Sequence, residues 1–187
     1  MGHTLFADMS YDALSMDEIA RRADVAKGLV YYYFGNKRGY YLAVVEDAAG
    51  ELLLRAAQDT GLPRAERLRR TLDDYLRYAE QHQSAYRTIA TGGVGHDTQV
   101  LAIRERARDS LLSTLAESAW GSAEIPAIAR TAMIGWLSSV EAITLDWLQT
   151  RPLDRDAVRE LLVRTLHYTL RAVEDCDPTW PAPTAER

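Results

Sequence analysis

Apolar residues recur along this chain at i, i+3, i+4 and i+7, in segments parted by glycine and proline, and no stretch alternates apolar with polar over the length of a strand. Such a spacing places side chains on one stripe of a helix, and a helix can bury its stripe only against another element. With no strands to supply that element, the 187 residues must pack helix on helix, so the fold expected is all-α. Composition adds the means: 47% hydrophobic residues suffice for an apolar core, and the single Cys176 allows no internal disulfide.

The first organised stretch opens at Ser15-Met16-Asp17-Glu18, a capping box in which the Ser15 hydroxyl meets the Glu18 amide and the Glu18 carboxylate reaches back to the Ser15 amide. A short helix is expected from there to about Ala23, with Arg21 and Arg22 outward. A second runs from about Lys27 to Phe34, and Asn36 caps a third that continues past Leu54. Two short helices around a tight turn followed by a long one is a specific arrangement.

Beyond Gly61-Leu62-Pro63 the helices lengthen. One carries the stripe Leu68, Leu72, Tyr75, Leu76, Ala79, and another Val100, Ile103, Ala107, Leu111, Leu115, with breaks at Gly92-Gly93-Val94-Gly95 and Trp120-Gly121-Ser122. From Ile125 to about Thr150 apolar groups run almost all round. Met133, Trp136, Leu137, Val140, Ile143, Trp147 and Leu148 line one broad side, while Ile128, Ala132, Gly135, Ser139 and Ala142 make a smoother one. Arg151-Pro152 ends that helix, Asp154 or Asp156 starts the last, and residues 177–187, with three prolines, read as a frayed tail.

Charge is distributed unevenly. Residues 1–45 balance five bases against five acids, so the net −5 falls entirely beyond them, and within 19–43 five bases face Asp24 alone. Both lysines of the chain, Lys27 and Lys37, lie in that short positive segment. A protein that coats polyanions would spread its bases widely; this pattern suits a local reader of nucleic acid.

Residues 15–41, SMDEIARRADVAKGLVYYYFGNKRGYY, resemble the DNA-binding helix-turn-helix of the TetR family of bacterial transcription regulators. The resemblance rests on the capped helix Ser15 to Ala23, the turn before Val25, the Lys27-Gly28 entry, the Tyr31-x-Tyr33-Phe34 ending and Asn36-Lys37. It implies an N-terminal helix-turn-helix DNA-binding domain over 1–45, a larger helical ligand-binding and dimerisation domain over 46–176, and a flexible tail over 177–187. It further implies that Lys27, Gly28, Leu29, Tyr31, Tyr32, Tyr33 and Lys37 face DNA, with Ser15 and Met16 contacting its backbone, while Val25, Val30 and Phe34 are core.

The residue types suit those roles. A recognition helix must enter a major groove about 12 Å wide, and Gly28 allows close approach at its start. Lys27 suits a phosphate or a guanine edge, Leu29 and the Tyr31 and Tyr32 rings can touch thymine methyls, and Lys37 stands beside free amides in a first helical turn, where phosphate binds well. Four consecutive aromatics at about 100° per residue cannot all point inward, so Tyr31 to Phe34 must leave one or two rings outside even if Tyr33 and Phe34 partly pack. Three departures from the family pattern stand out: Asp24 at a left-handed turn position where glycine is usual, Ala26 where a capping serine is usual, and Ser10 in place of a common glycine. Only Met1 to about Met9 precede the Ser10-Tyr11-Asp12 turn, so the first helix is expected to be shortened.

Other chemistry lacks its context. Gly92 to Gly95 has neither a preceding strand nor a following Lys-Ser/Thr, so it is read as a link and not a phosphate cradle. The histidines form no pair at metal-ligand spacing, and no nucleophile has a recognisable base in local reach. No cofactor, metal or enzymatic activity is expected. No apolar run nears the roughly 18 residues that span a bilayer, and the start has no secretory pattern, so a cytoplasmic protein is expected.

One short reading helix covers few base pairs, so specificity on a double-stranded DNA operator calls for a homodimer on a palindrome. The last two helices are the expected interface, with Val140, Trp147, Leu162 and Thr169 as its residues. Tyr75, Tyr78, Tyr86, Trp120, Met133 and Trp136 are candidates to line a pocket for a small, largely apolar organic ligand, which the family resemblance implies. The function expected is a ligand-responsive repressor. The rival reading is a helical ligand-binding or interaction protein with impaired DNA binding.

Overall fold

The computed structural model of the chain describes residues 15–57, 62–91 and 98–183, and among these every regular element is a helix. In chain order they are α1 (Met16–Ala23), α2 (Lys27–Phe34), α3 (Lys37–Ala57), α4 (Arg64–Gln81), α5 (Gln83–Ala90), α6 (Thr98–Trp120), α7 (Ala127–Thr150) and α8 (Arg155–Cys176). The all-α architecture and the short, short, long opening are those the sequence leads one to expect. The expected short first helix and the link at Gly92 to Gly95 lie outside the described residues.

Helix ends follow local chemistry. Ser15 caps α1 by accepting the Glu18 amide at 3.2 Å, while the Glu18 carboxylate is taken up by Arg21 at 2.9 and 2.6 Å and by Arg22 at 2.7 Å. At the other end Asp24 is left-handed (φ 52°), and the Val25 amide returns to the Ala20 carbonyl, which closes a Schellman-type turn. Asp154 is the cap of α8, accepting from the Ala157 amide at 2.7 Å. Arg151, also left-handed (φ 47°), ends α7 with its guanidinium 4.6 Å from the Trp147 ring centre.

By packing, the described chain divides into two compact units. One comprises the described residues to Glu51 together with Ala79–Arg106; the other comprises Leu52–Tyr78 and the chain from Ala107 onward. Boundaries inside long helices leave no loop or change of composition to betray them.

In the first unit Met16, Ile19, Ala20, Val30, Tyr40, Tyr41, Val44 and Val45 are buried on α1 to α3, and Tyr86, Val100 and Ile103 on the later segment. Arg106 reaches Glu46 at 3.3 Å. In the second unit α7 packs on α8 through Met133, Trp136, Val140, Trp147, Val158, Leu162 and Val173, all buried. The Trp136 indole donates to the Leu162 carbonyl at 3.1 Å and the Thr165 hydroxyl at 3.3 Å; the Trp147 indole donates to the Leu153 carbonyl at 2.9 Å. Asp73 on α4 ties that helix to α8 through Arg155 at 3.0 Å and Arg159 at 3.5 Å.

The expected frayed tail is corrected as far as Pro183. Trp180 meets Trp120 edge to face at 5.7 Å, and the Trp120 indole donates to the Pro181 carbonyl at 3.0 Å. Aromatic burial holds a segment that its prolines alone would leave extended.

Candidate nucleic-acid interface

Helix α2 is anchored at two places. Val30 is its buried residue, and at its end the half-buried Phe34 ring meets the buried Tyr40 ring edge to face at 5.0 Å. Gly35 (φ 71°) then turns the chain, Asn36 accepts the Gly39 amide at 2.9 Å, and α3 begins. The chain bends so sharply here that a Cβ on Gly39 would overlap the Phe34 carbonyl oxygen. Glycine at 39 is a requirement that the sequence reading missed, and a close backbone approach of this kind has no local signal beyond the glycine itself.

Fixing Val30 and Phe34 turns the rest of α2 outward. Leu29 and Tyr31 are nearly half exposed, while Tyr32 and Tyr33 are 81% and 70% exposed, stacked edge to face at 5.3 Å. The partial packing expected for Tyr33 is therefore corrected: only Phe34 turns in. Gly28 is exposed, and a Cβ there would meet nothing within 4 Å, so the fold leaves this position open. Val25, expected in the core, is 38% exposed because it lies in the turn after Asp24. Met16 puts its side chain in the core, which leaves only its main chain to meet DNA; Ser15 is exposed but spends its hydroxyl on the cap.

Lys27, Arg21 and Arg22 are held by nearby acids. Lys27 Nζ lies 2.6 Å from Asp17 Oδ1 and 5.8 Å from the centre of the Tyr31 ring. The Asp17 carboxylate raises the Lys27 pKa through that hydrogen bond and its charge. On α1 the paired guanidinium groups of Arg21 and Arg22 bring Glu18 down to about 2. Lys37 is half-buried in the first turn of α3.

The other expected sites are placed differently. Val140, Trp147 and Leu162 lie inside the chain's own core, and Thr169 donates to the Thr165 carbonyl, so the first three are corrected as interface residues. Their stripes already face each other within one subunit. Of the pocket candidates, Tyr75 is half-buried; Tyr78, Tyr86 and Met133 are buried, with Tyr86 in the first unit and the rest in the second. Trp120 and Trp136 direct their indole groups to Pro181 and to Leu162 and Thr165, so both indole N–H groups are already used within the chain. Among the described residues no three His, Cys, Asp or Glu side chains gather to hold a metal, and no helix is long and apolar enough to cross a membrane.

Comparison with known proteins agrees with the helix-turn-helix geometry. Residues 2–44 match the family model for bacterial regulatory proteins of the tetR family, and residues 64–169 match the tetracyclin repressor-like C-terminal domain. The chain is 30% identical to the HTH-type transcriptional activator FasR of Mycolicibacterium smegmatis over 167 residues, covering 83% of this chain and 73% of that one. A tetR-family transcriptional regulator from Streptomyces coelicolor shares its fold with a TM-score of 0.85 at 26% identity, over 96% of this chain and 81% of that one. A more distant likeness, of fold alone, is to the transcriptional regulator FadR from Bacillus subtilis in complex with stearoyl-CoA (TM-score 0.62, 17% identity, 88% and 93% covered). With both halves matched and the reading helix in place, the chain belongs to the TetR family of bacterial transcription regulators.

Proposed function

We propose that this regulator acts as a homodimer on a palindromic operator, inserts α2 into the major groove, and releases or repositions on DNA when a small organic ligand binds. The observation that carries the reading is the outward run Leu29, Tyr31, Tyr32 and Tyr33 beside Lys27, on a helix held from behind by Val30. Large rings in water beside a cation gain by covering thymine methyls, while their hydroxyls reach phosphate oxygens. Lys27, Gly28, Leu29, Tyr31, Tyr32, Tyr33 and Lys37 are the DNA-facing set, with the Ser15 and Met16 main chain at the sugar-phosphate backbone.

Two such helices must stand about 34 Å apart to meet successive turns of one DNA face. The pairing surface that fits is the smoother side of α7, Ile128, Gly135 and Ala142, with Leu161 and Tyr168 of α8, which are exposed in one chain. Small residues allow two helix pairs to approach closely and form a four-helix interface.

Tyr75, Tyr78 and Met133, which share the second unit, remain the residues proposed for the ligand. The stearoyl-CoA in the FadR complex supports a ligand with a long acyl chain. Ligand binding shifts DNA occupancy only by its differential affinity for the two states. Repression is the simplest output of a dimer that covers an operator; activation is the second reading, favoured by the FasR name.

The test is a gel shift with DNA from upstream of the chain's own gene, with and without acyl-CoA of graded length. Salt-sensitive binding that is lost in Tyr31→Ala and Lys37→Ala, and weakened by one acyl-CoA, is the expected result. A protein that retards no DNA fragment at low salt overturns the reading and favours a helical ligand-binding protein.

A further inference from the structure

Acids on α1 neutralise much of the positive segment that the sequence displays. Glu18 accepts from Arg21 and Arg22, which leaves it occupied, and Asp17 alone of the two reaches across the turn to Lys27 on the reading helix. This ion pair is solvent-accessible on both sides, 55% at Lys27 and 69% at Asp17, and it sits on the surface that would meet DNA. A lysine ammonium at the start of a helix is opposed by the helix dipole, and α2 has no side-chain cap because Ala26 stands at that position. Asp17 supplies the compensating charge from outside the helix.

Resting on the DNA-binding reading above, we propose that Asp17 is a selectivity residue of the reading surface: it keeps the Lys27 ammonium from serving as an indiscriminate phosphate contact and directs it to a base edge.

The argument is one of exchange. On arbitrary DNA, Lys27 would give up a carboxylate for a phosphate, one anion for another, and leave Asp17 unpaired beside a polyanion, so the contact adds nothing to affinity. An ammonium has three donors in rotatable positions. It can keep one on Asp17 and point the others at the O6 and N7 acceptors of a guanine, which are neutral and do not repel the carboxylate. The ring of Tyr31, 5.8 Å from Nζ, limits the other directions in which the ammonium can swing. Asp17 thereby removes charge from the non-specific mode while costing the specific mode little.

Asp17→Asn, Lys27→Ala and the double variant separate this from simple repulsion. Full-length dimers are titrated by fluorescence anisotropy, across KCl concentration, with a mixed-sequence 30-base-pair duplex and with a duplex selected by the wild-type protein from a random library. Asp17→Asn is expected to bind the mixed duplex about threefold tighter per subunit, with a log–log salt slope steeper by about 0.9 per subunit. Its preference for the selected duplex falls. In the Lys27→Ala background the Asp17→Asn change should have no such effect. Equal strengthening in both backgrounds, or none in either, overturns the role of Asp17 while wild-type binding still supports a DNA-reading protein. If the wild type binds neither duplex, the underlying reading fails first and takes this one with it.

Discussion

Gly39 faces the carbonyl of Phe34 so closely that even a methyl group on it would overlap the oxygen, and the Gly39 amide is bound by Asn36 Oδ1 at 2.9 Å. The junction between reading helix and α3 is thus set by backbone contact, and it orients α2 through Phe34 and Tyr40. Gly39→Ala should destabilise the protein by about 1–3 kcal/mol, the usual range for forced overpacking, and weaken DNA binding with it. Gly28→Ala should do the opposite to the fold: the added Cβ meets nothing, and alanine gains about 1 kcal/mol of helix propensity. DNA binding should still fall, because the methyl holds the backbone off the groove. Thermal melts and anisotropy on the same two variants check both halves; loss of stability in Gly28→Ala would contradict the geometry.

Asp24 occupies a left-handed conformation at φ 52°. Asp24→Val should lose about 1–2 kcal/mol, the cost of placing a side chain without local hydrogen-bonding ability there. Asp24→Gly should stay within about 1 kcal/mol of the parent, because relief of strain is offset by the greater freedom of glycine in the unfolded chain. Ala26→Ser should add about 1 kcal/mol through a cap on α2. Urea titrations of the three variants order them.

Glu18 has its carboxyl brought down to about 2 by hydrogen bonds from Arg21 and Arg22. A group whose folded pKa is depressed contributes stability that is present above its unfolded value of 4.5 and is lost as pH falls toward 2. Because the carboxylate is open to solvent, salt screens part of this contribution. Stability measured from pH 6 to pH 2.5 should therefore decline less steeply in Glu18→Gln than in the parent, and the difference should shrink in 0.5 M salt, on the order of a 4 Å screening length. Parallel acid limbs for the two proteins would show that the pair contributes nothing.

Leu162 is fully buried, whereas Gly135 is exposed on the smoother side of α7. Leu162→Ala should cost about 2–5 kcal/mol as a core cavity, without a specific effect on association beyond that of lost folding. Gly135→Arg should leave the melting of each subunit's core nearly intact but convert dimer to monomer in light scattering. An unchanged mass for Gly135→Arg would place the pairing surface elsewhere.

Trp180 lies edge to face with Trp120, beside the bond from the Trp120 indole to the Pro181 carbonyl. Trp180→Ala should cost about 1 kcal/mol, near the middle of the range for an aromatic pair, and shift tryptophan emission to the red. Truncation after Asp177 should do at least as much. If neither changes stability, the segment is held by something other than this contact.

Much of the local structure was legible without coordinates. The caps at Ser15, Asn36 and Asp154, the left-handed turn at Asp24, the uncapped Ala26 and the ends of α1 and α2 all follow from interactions within five residues, which sequence spacing specifies directly. The four aromatics in a row likewise required exposed rings by helix geometry alone. What remained for the tertiary structure was assignment among equivalent apolar stripes. Two stripes ran along α7, and periodicity cannot tell which one meets α8 of the same chain and which is left over; packing gave Val140, Trp147 and Leu162 to the interior. The same ignorance of distant neighbours hid the partners of Trp120 and Trp136, the unit boundaries inside continuous helices, and the pairing of Asp17 with Lys27 across a turn. Spacing along a chain encodes contacts within a helix, but which helices meet depends on a global packing balance that no short segment contains.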